Sequence, residues 1–193
     1  MLDQGALYTL FEGARTAYSW TDQPVTDDEL RRVFDLLKLG PTSANSSPAR
    51  FMFLRTQSAK ERLRPALSPG NVDKTMTAPV VCIVAHDPLF FEHLARLLPH
   101  EDARSWFAGN EKLATETAFR NGTLQGAYLI MAARAMGLDA GPMSGFDNAR
   151  VDAEFMVPFG WKSNFLVNLG HGDASSLHPR NPRFDFDDVC RLY

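Results

Sequence analysis

Basic and hydroxyl side chains that could hold a phosphate group stand near both ends of the chain. Arg15 and Thr16 lie close to the N-terminus, and Arg180 and Arg183 lie in a proline-containing tail. Arginine offers permanently charged, bidentate donors, and a hydroxyl group adds a short hydrogen bond. Each pair could equally be a solvated surface feature when it is considered by itself. Together they favour the binding of a phosphorylated ligand.

Two segments between these ends carry polar groups that suit the edge of a heterocycle. They supply Thr42, Ser43 and Asn45 from a polar loop, and Asn71 and Lys74 from the start of a helix. Residues three apart on a helix lie on the same face, so the Asn71 and Lys74 side chains can point to one ligand. Turn-forming residues without a ligand are the alternative for each segment.

A long helical pattern leads to a stretch of small residues. It runs from Glu111 to Met136 without proline, and its second half is apolar on nearly every side except at Arg134. Such a helix is usually buried in a core or an interface. Gly137 suits a left-handed helix cap, and the stretch Gly141-Pro142-Met143-Ser144-Gly145 would let a flat ligand or another backbone come close. A core helix followed by an ordinary turn is the alternative.

The remaining patterns mix helices and strands, which predicts an α+β domain over residues 1–193 with a small sheet wrapped by helices. Strands are predicted at 50–55, 79–85 and 164–169, the first of them as an interior strand because both its faces are apolar. Further helices are predicted at 3–14, 88–98 and 147–155. Two more helices are predicted to begin at capping boxes, one formed by Thr26 and Glu29 and the other by Ser58 and Glu61. No repeat or linker divides the chain.

Composition narrows the class of protein. The chain has 193 residues, 45% hydrophobic and 22% charged, with a formal net charge of -3, which argues against nucleic acid or an anionic membrane as partner. No signal peptide or membrane span is expected, and a cytoplasmic protein with Cys82 as a core residue is the default. The five histidines do not fall at metal-ligand spacing, so no metal site is expected. No Rossmann, P-loop or nucleophile-elbow motif is present.

Five segments, in this order, resemble the nitroreductase family of FMN flavoenzymes. They are Arg15-Thr16, Pro41–Pro48, Asn71-x-x-Lys74, Gly141–Phe146 and Pro182-Arg183. The resemblance covers nearly the whole chain. It is nearest to the branch that contains the malonic semialdehyde reductase of pyrimidine breakdown, through the runs GPTSANSSPAR, ERLRPALSPGN, DARSWF, ETAFRN and GPMSGFD.

This resemblance implies a nitroreductase-like fold with a small mixed sheet, in a homodimer that holds FMN at the subunit interface. The long helix would lie in that interface, and the C-terminal tail would embrace the second subunit. Cofactor contacts would come from Arg15, Thr16, Arg183 and Arg180 at the phosphate, from Thr42, Ser43 and Asn45 at the ring and ribityl chain, from Asn71 and Lys74 at the pyrimidine edge, and from Pro142, Met143, Ser144 and Gly145. The Gly145 backbone would face flavin N5.

The sequence departs from the usual family pattern at three positions. Tyr18 stands where a second basic residue is usual, Ser47 replaces a glutamine, and Ser144 replaces a glutamate. Lys74 would then supply the positive charge near the flavin alone, which favours the anionic reduced ring.

The reaction implied is reduction of malonic semialdehyde to 3-hydroxypropionate by NADH or NADPH, in a ping-pong sequence with hydride transfer through flavin N5. Arg50 and Arg104 are candidates for binding the substrate carboxylate. Trp106 and Phe107 either roof the site or serve as plain packing. No residue is assigned as proton donor. A broad nitro or quinone reductase and a flavin-binding carrier or sensor without turnover are the alternatives.

Overall fold

A four-stranded antiparallel sheet forms the centre of the protein, whose computed structural model describes residues 1–193. Its strands are β1 (Ala49–Leu54), β2 (Val80–His86), β3 (Asp139–Met143) and β4 (Lys162–Gly170), in the order β1-β2-β4-β3. All three ladders are antiparallel. A sheet with both parallel and antiparallel pairing was expected, and the parallel pairing is confined to one bridge, between Thr16 and Ala140.

Helices cover both faces of the sheet, which confirms the α+β class. The α-helices are α1 (Gln4–Leu7), α2 (Asp27–Leu37), α3 (Gln57–Leu63), α4 (Val72–Met76), α5 (Leu94–Leu97), α6 (Glu111–Ala135), α7 (Asn148–Val151) and α8 (Phe186–Val189). Short 3₁₀ or π turns lie at Tyr8–Glu12, Ser43–Asn45, Arg64–Ala66, Pro69–Asn71, Phe90–His93, Ala103–Trp106, Asp152–Met156, Val157–Phe159 and Ala174–Ser176. The patterns at 3–14, 88–98 and 147–155 are therefore each divided between a one-turn α-helix and such a turn. No helix combines the length and the apolarity that crossing a membrane requires.

Strand β1 is an edge strand, so the prediction of an interior strand is wrong. Phe51 and Phe53 pack against one hydrophobic cluster, and Met52 packs against another on the opposite face. Both faces of β1 are apolar because two layers cover the sheet, although only one edge of the strand is paired. Side-chain alternation reports covered faces, and it carries no information about how many neighbouring strands there are.

Strand β3 includes most of the small-residue stretch that follows the long helix. Gly141, Pro142 and Met143 pair with β4, and only Ser144 and Gly145 lie beyond the strand. A Cβ atom on Gly141 would lie 2.8 Å from the carbonyl oxygen of Ala17. The glycine is therefore explained by the close approach of the N-terminal segment.

Local signals at the helix ends are mostly confirmed. Thr26 and Glu29 form the predicted capping box of α2, and Gly137 adopts a φ of 78° after α6. The second predicted box is wrong, because Thr56 caps α3 and Glu61 pairs with Arg64 instead.

The long helix α6 buries polar side chains as well as apolar ones. Leu129 and Ala133 join the core, whereas the buried side chains of Asn121 and Gln125, one turn apart, contact the loop before β1 and the first residue of β1. The helix thus reaches both the core and a polar segment beside β1.

Candidate functional site

The two ends of the chain meet at a cavity of about 300 Å³. Arg15, Thr16, Arg180 and Arg183 all line it, so the structure brings together the four residues that were predicted to hold a phosphate. The N-terminal segment reaches this position through the bridge from Thr16 to Ala140 in β3. The tail is tied to it because Arg180 donates to the carbonyl oxygen of Phe11 at 2.7 Å.

The guanidinium groups in this cavity contact backbone carbonyls and no carboxylate. Arg180 Nη2 donates to Glu12 O at 2.8 Å and to Ala14 O at 3.0 Å, and Arg15 Nη1 donates to Ala14 O at 2.9 Å. Neither of them, nor Arg183, takes part in any ion pair of the chain. Like charges gathered without a counter-charge repel one another, so an anion in the cavity would stabilise the cluster. The residues present therefore fit a phosphate group.

A second junction joins Asn71 to Gly145. The Gly145 carbonyl accepts from Asn71 Nδ2 at 2.8 Å and from the Ser68 N–H group at 3.0 Å. The N–H group of Gly145 donates to no group of the chain, so it is free for a ligand atom. The contact of this donor with flavin N5 stays a prediction.

Tyr18 and Lys74 connect these two places. The Lys74 ammonium lies 4.9 Å from the centroid of the Tyr18 ring, and the Tyr18 and His178 rings meet edge to face with their centroids 5.2 Å apart. Burial lowers the pKa of Lys74. Tyr18 also lines the phosphate cavity. Tyr18, which stands where a second basic residue is usual in the family pattern, therefore offers its ring face to the Lys74 ammonium.

The polar loop before β1 is a strained segment. Ala44, Asn45 and Ser47 have φ values of 52°, 48° and 39°, which side-chain-bearing residues rarely adopt. The Ser43 N–H group donates to Asn121 Oδ1 at 2.8 Å, and the Ala49 N–H group donates to Gln125 Oε1 at 2.9 Å. The buried polar face of α6 thus holds the loop in shape. Such strain is typical of binding sites.

This loop and the phosphate cavity lie at opposite edges of the sheet. The loop leads into β1, whereas Thr16 pairs beside β3, and three strand spacings separate those two edges by about 14 Å. Within one chain, the structure does not bring Thr42, Ser43 and Asn45 to the cavity of Arg15.

An open groove of about 700 Å³ lies beside Ser144. It is lined by uncharged residues, namely Phe119, Pro142, Met143, Ser144, Asn148, Ser163, Asn164 and Phe165. Asn148 Nδ2 donates to Ser163 Oγ at 2.9 Å, which fixes two of the polar side chains. Sequence reasoning missed Asn148, Ser163 and Asn164 because nothing in the local pattern places them beside Ser144.

The model of the nitroreductase family matches residues 12–171, which is most of the chain. The chain belongs to the nitroreductase family. A Burkholderia lata protein, described as a candidate NADH dehydrogenase/NAD(P)H nitroreductase, is 63% identical over 191 residues, covering 99% of this chain and 98% of that protein.

Solved structures of family proteins share the fold at low sequence identity. The nitroreductase YdfN of Bacillus subtilis has a TM-score of 0.88 at 20% identity, with 99% of this chain and 100% of that one covered. A nitroreductase from Exiguobacterium sibiricum, solved in complex with FMN, has a TM-score of 0.87 at 19% identity, with 100% and 99% covered. The nitroreductase-like fold is thereby confirmed, and family membership supports FMN and NADH or NADPH as the cofactors.

In this nitroreductase-family protein, three of the four predicted substrate residues are already engaged. Arg50 Nη2 pairs with Asp87 Oδ2 at 2.7 Å, and Arg104 Nε pairs with Glu92 Oε2 at 2.8 Å. Phe107 is only 6% exposed and packs beside Phe90 in a hydrophobic cluster, which favours the packing alternative.

Trp106, the fourth predicted substrate residue, is half exposed. Elsewhere, burial raises the pKa of the Cys82 thiol, as suits a core residue, and no cluster of metal-ligating side chains is present.

Proposed function

We propose that this protein is an FMN-dependent oxidoreductase that uses NADH or NADPH. One observation carries the proposal: Arg15, Thr16, Arg180 and Arg183 converge without a carboxylate on one cavity. The family and the FMN complex of the Exiguobacterium relative support the same cofactor. The Burkholderia relative's name supports a nicotinamide reductant.

The residues of the chain bind and orient the cofactor. FMN, when bound, supplies hydride chemistry between a nicotinamide and a second substrate. Arg15, Arg180 and Arg183 neutralise its phosphate, and the Thr16 hydroxyl adds a hydrogen bond. The free N–H group of Gly145 donates to the edge of the ring.

The Lys74 ammonium places positive charge near that ring. Its position over the Tyr18 face fixes the charge without a second basic residue. Because the ring gains negative character on reduction, a fixed cation close to it favours the transfer.

A second copy of the chain completes each site in this proposal. The loop with Thr42, Ser43 and Asn45 lies at the far sheet edge, so it contributes to a site only across a dimer interface. Helix α6 leaves Phe119 half exposed, and the tail leaves Phe184 largely exposed, which is surface that a dimer would cover. Sedimentation equilibrium tests this point: we expect twice the mass of the chain, with one FMN bound per chain.

The proposed substrate is malonic semialdehyde, reduced to 3-hydroxypropionate, on the basis of the five sequence runs shared with that branch of the family. The second candidate is a broad nitro or quinone reductase. It is favoured by the uncharged groove beside Ser144, and by the ion pairs that already engage Arg50 with Asp87 and Arg104 with Glu92.

An anaerobic absorption experiment tests the core of the proposal. We expect oxidised flavin bands in the purified protein and their bleaching by NADH or NADPH. Adding malonic semialdehyde or a nitroaromatic compound to the bleached protein then compares the two substrate classes by the rate at which the bands return. Bands that neither nucleotide bleaches would indicate a carrier or sensor. A protein that takes up no FMN would refute the proposal.

A further inference from the structure

Arg134 is a fourth arginine at the phosphate cavity, and neither the sequence motifs nor the family resemblance assigns it a role. It lies in the last turn of α6 and lines the cavity together with Arg15, Arg180 and Arg183. Because α6 packs on the sheet, this side chain is delivered by a rigid element, whereas the other arginines come from chain ends.

In the guanidinium group of Arg134, Nη1 has a hydrogen-bond partner and Nε has none. Nη1 donates to the carbonyl oxygen of Leu10 at 3.1 Å, which fixes its direction. Nε is buried and has no hydrogen-bond partner. A buried donor without a partner is unfavourable, and a charged donor more so, unless a ligand supplies the acceptor.

The two strongest influences on Arg134, burial and the Arg180 guanidinium, both disfavour its charge. Arg134 forms no ion pair, and burial, together with the nearby Arg180, lowers its pKa. The carboxylate of Asp139 acts on it in the opposite sense, as a weaker influence than burial and Arg180. An isolated structural arginine would be expected beside a carboxylate rather than beside a second arginine.

We propose that Arg134 is a phosphate-binding residue that ties the C-terminal turn of α6 to the phosphate of FMN. This inference rests on the proposed function. It assigns to the long helix a direct part in cofactor binding, in addition to its packing role. An arginine adds a forked, permanently charged donor set, so it strengthens binding of FMN over ligands that lack the phosphate.

The test compares FMN with riboflavin, which has the same ring without the phosphate. Their dissociation constants are measured by quenching of flavin fluorescence for the wild-type protein, Arg134→Met, Arg134→Lys and Arg120→Met. Arg120 lies on the same helix, is exposed and pairs with Glu116, so it is the matched control. Urea denaturation of each apoprotein shows whether the variants fold.

We expect Arg134→Met to weaken FMN binding about tenfold or more while riboflavin binding changes less than about twofold. Arg134→Lys should recover part of the loss, and Arg120→Met should match the wild type. Equal losses for FMN and riboflavin would mean that Arg134 only supports the fold, and the inference would be overturned while the proposed function stands. An unchanged FMN affinity in Arg134→Met would overturn it as well. Wild-type protein that binds FMN no better than riboflavin would overturn both.

Discussion

Replacement of Gly145 by alanine tests the junction between the end of β3 and the segment before α4. A Cβ atom at this position would lie 2.5 Å from Asn71 Nδ2 and 3.3 Å from Ser68 Oγ. The Asn71 amide would have to move, and it would lose its 2.8 Å hydrogen bond to the Gly145 carbonyl. Gly145 does not have a positive φ, so backbone strain does not enter.

The magnitude follows from three contributions. Loss of the hydrogen bond costs about 1 kcal/mol. Crowding of a packed site costs about 1–3 kcal/mol. Alanine restricts the unfolded chain, which returns about 0.4–1 kcal/mol. We therefore expect Gly145→Ala to lower the free energy of unfolding by about 1–3.6 kcal/mol.

Gly70→Ala is the matched control, because a Cβ atom at Gly70 would meet nothing within 4 Å, and Gly70 is the neighbour of Asn71. Urea denaturation of the two apoproteins, followed by circular dichroism, measures the difference. We expect Gly70→Ala to be as stable as the wild type or slightly more stable. Equal stability of the two variants would refute the packing argument, whatever ligand the site binds. Weaker FMN binding in Gly145→Ala alone would extend the argument to the cofactor.

Three further predictions concern strain, protonation and charge. Ala44→Gly should raise the free energy of unfolding by about 1 kcal/mol, because glycine adopts the observed φ of 52° without penalty, and no gain in urea denaturation would contradict the strain. Burial lowers the pKa of His86, so the contribution of this side chain to stability is present above about pH 6.5 and is lost as the pH falls through the lower native value. Over that pH range the urea midpoint should fall more in the wild type than in His86→Gln. Parallel pH profiles of the two proteins would exclude this contribution of His86. Tyr18→Leu should weaken FMN binding several-fold while Tyr18→Phe preserves it, since the ring face and not the hydroxyl contacts Lys74; equal affinities in the fluorescence titration would remove Tyr18 from the site.

The sequence and the family resemblance could predict four residues of the phosphate cavity and their convergence on one phosphate, but not the presence of Arg134 there. Arg15, Thr16, Arg180 and Arg183 were recognisable by their chemistry and by family resemblance. Arg134 was visible only as an interruption of an apolar helix, because the direction of its guanidinium depends on where the chain ends pack. Long-range placement of that kind is set by tertiary structure and leaves no local pattern.

Errors in the fold have a similar origin. The apolar residues of β1 correctly indicated two covered faces, but pairing at a strand edge uses backbone groups that every residue carries. Thr56 and Ser58 are both competent helix caps, and the point where β1 ends decided between them. The positive φ values at Ala44 and Ser47 could not be predicted, because neither residue type favours them.

The phosphate cavity and the polar loop with Asn45 lie at opposite edges of the sheet, and this placement has a genetic consequence. In the proposed dimer, each site combines the β3 edge of one copy with the β1 edge of the other. A chain damaged at Arg15 and a chain damaged at Asn45 would each form inactive homodimers, yet a mixed dimer would contain one site built from two intact halves. Random pairing makes about half of the dimers mixed, which restores about a quarter of all sites. Two alleles damaged at opposite edges would therefore complement each other in one cell, whereas two alleles damaged at the same edge would not.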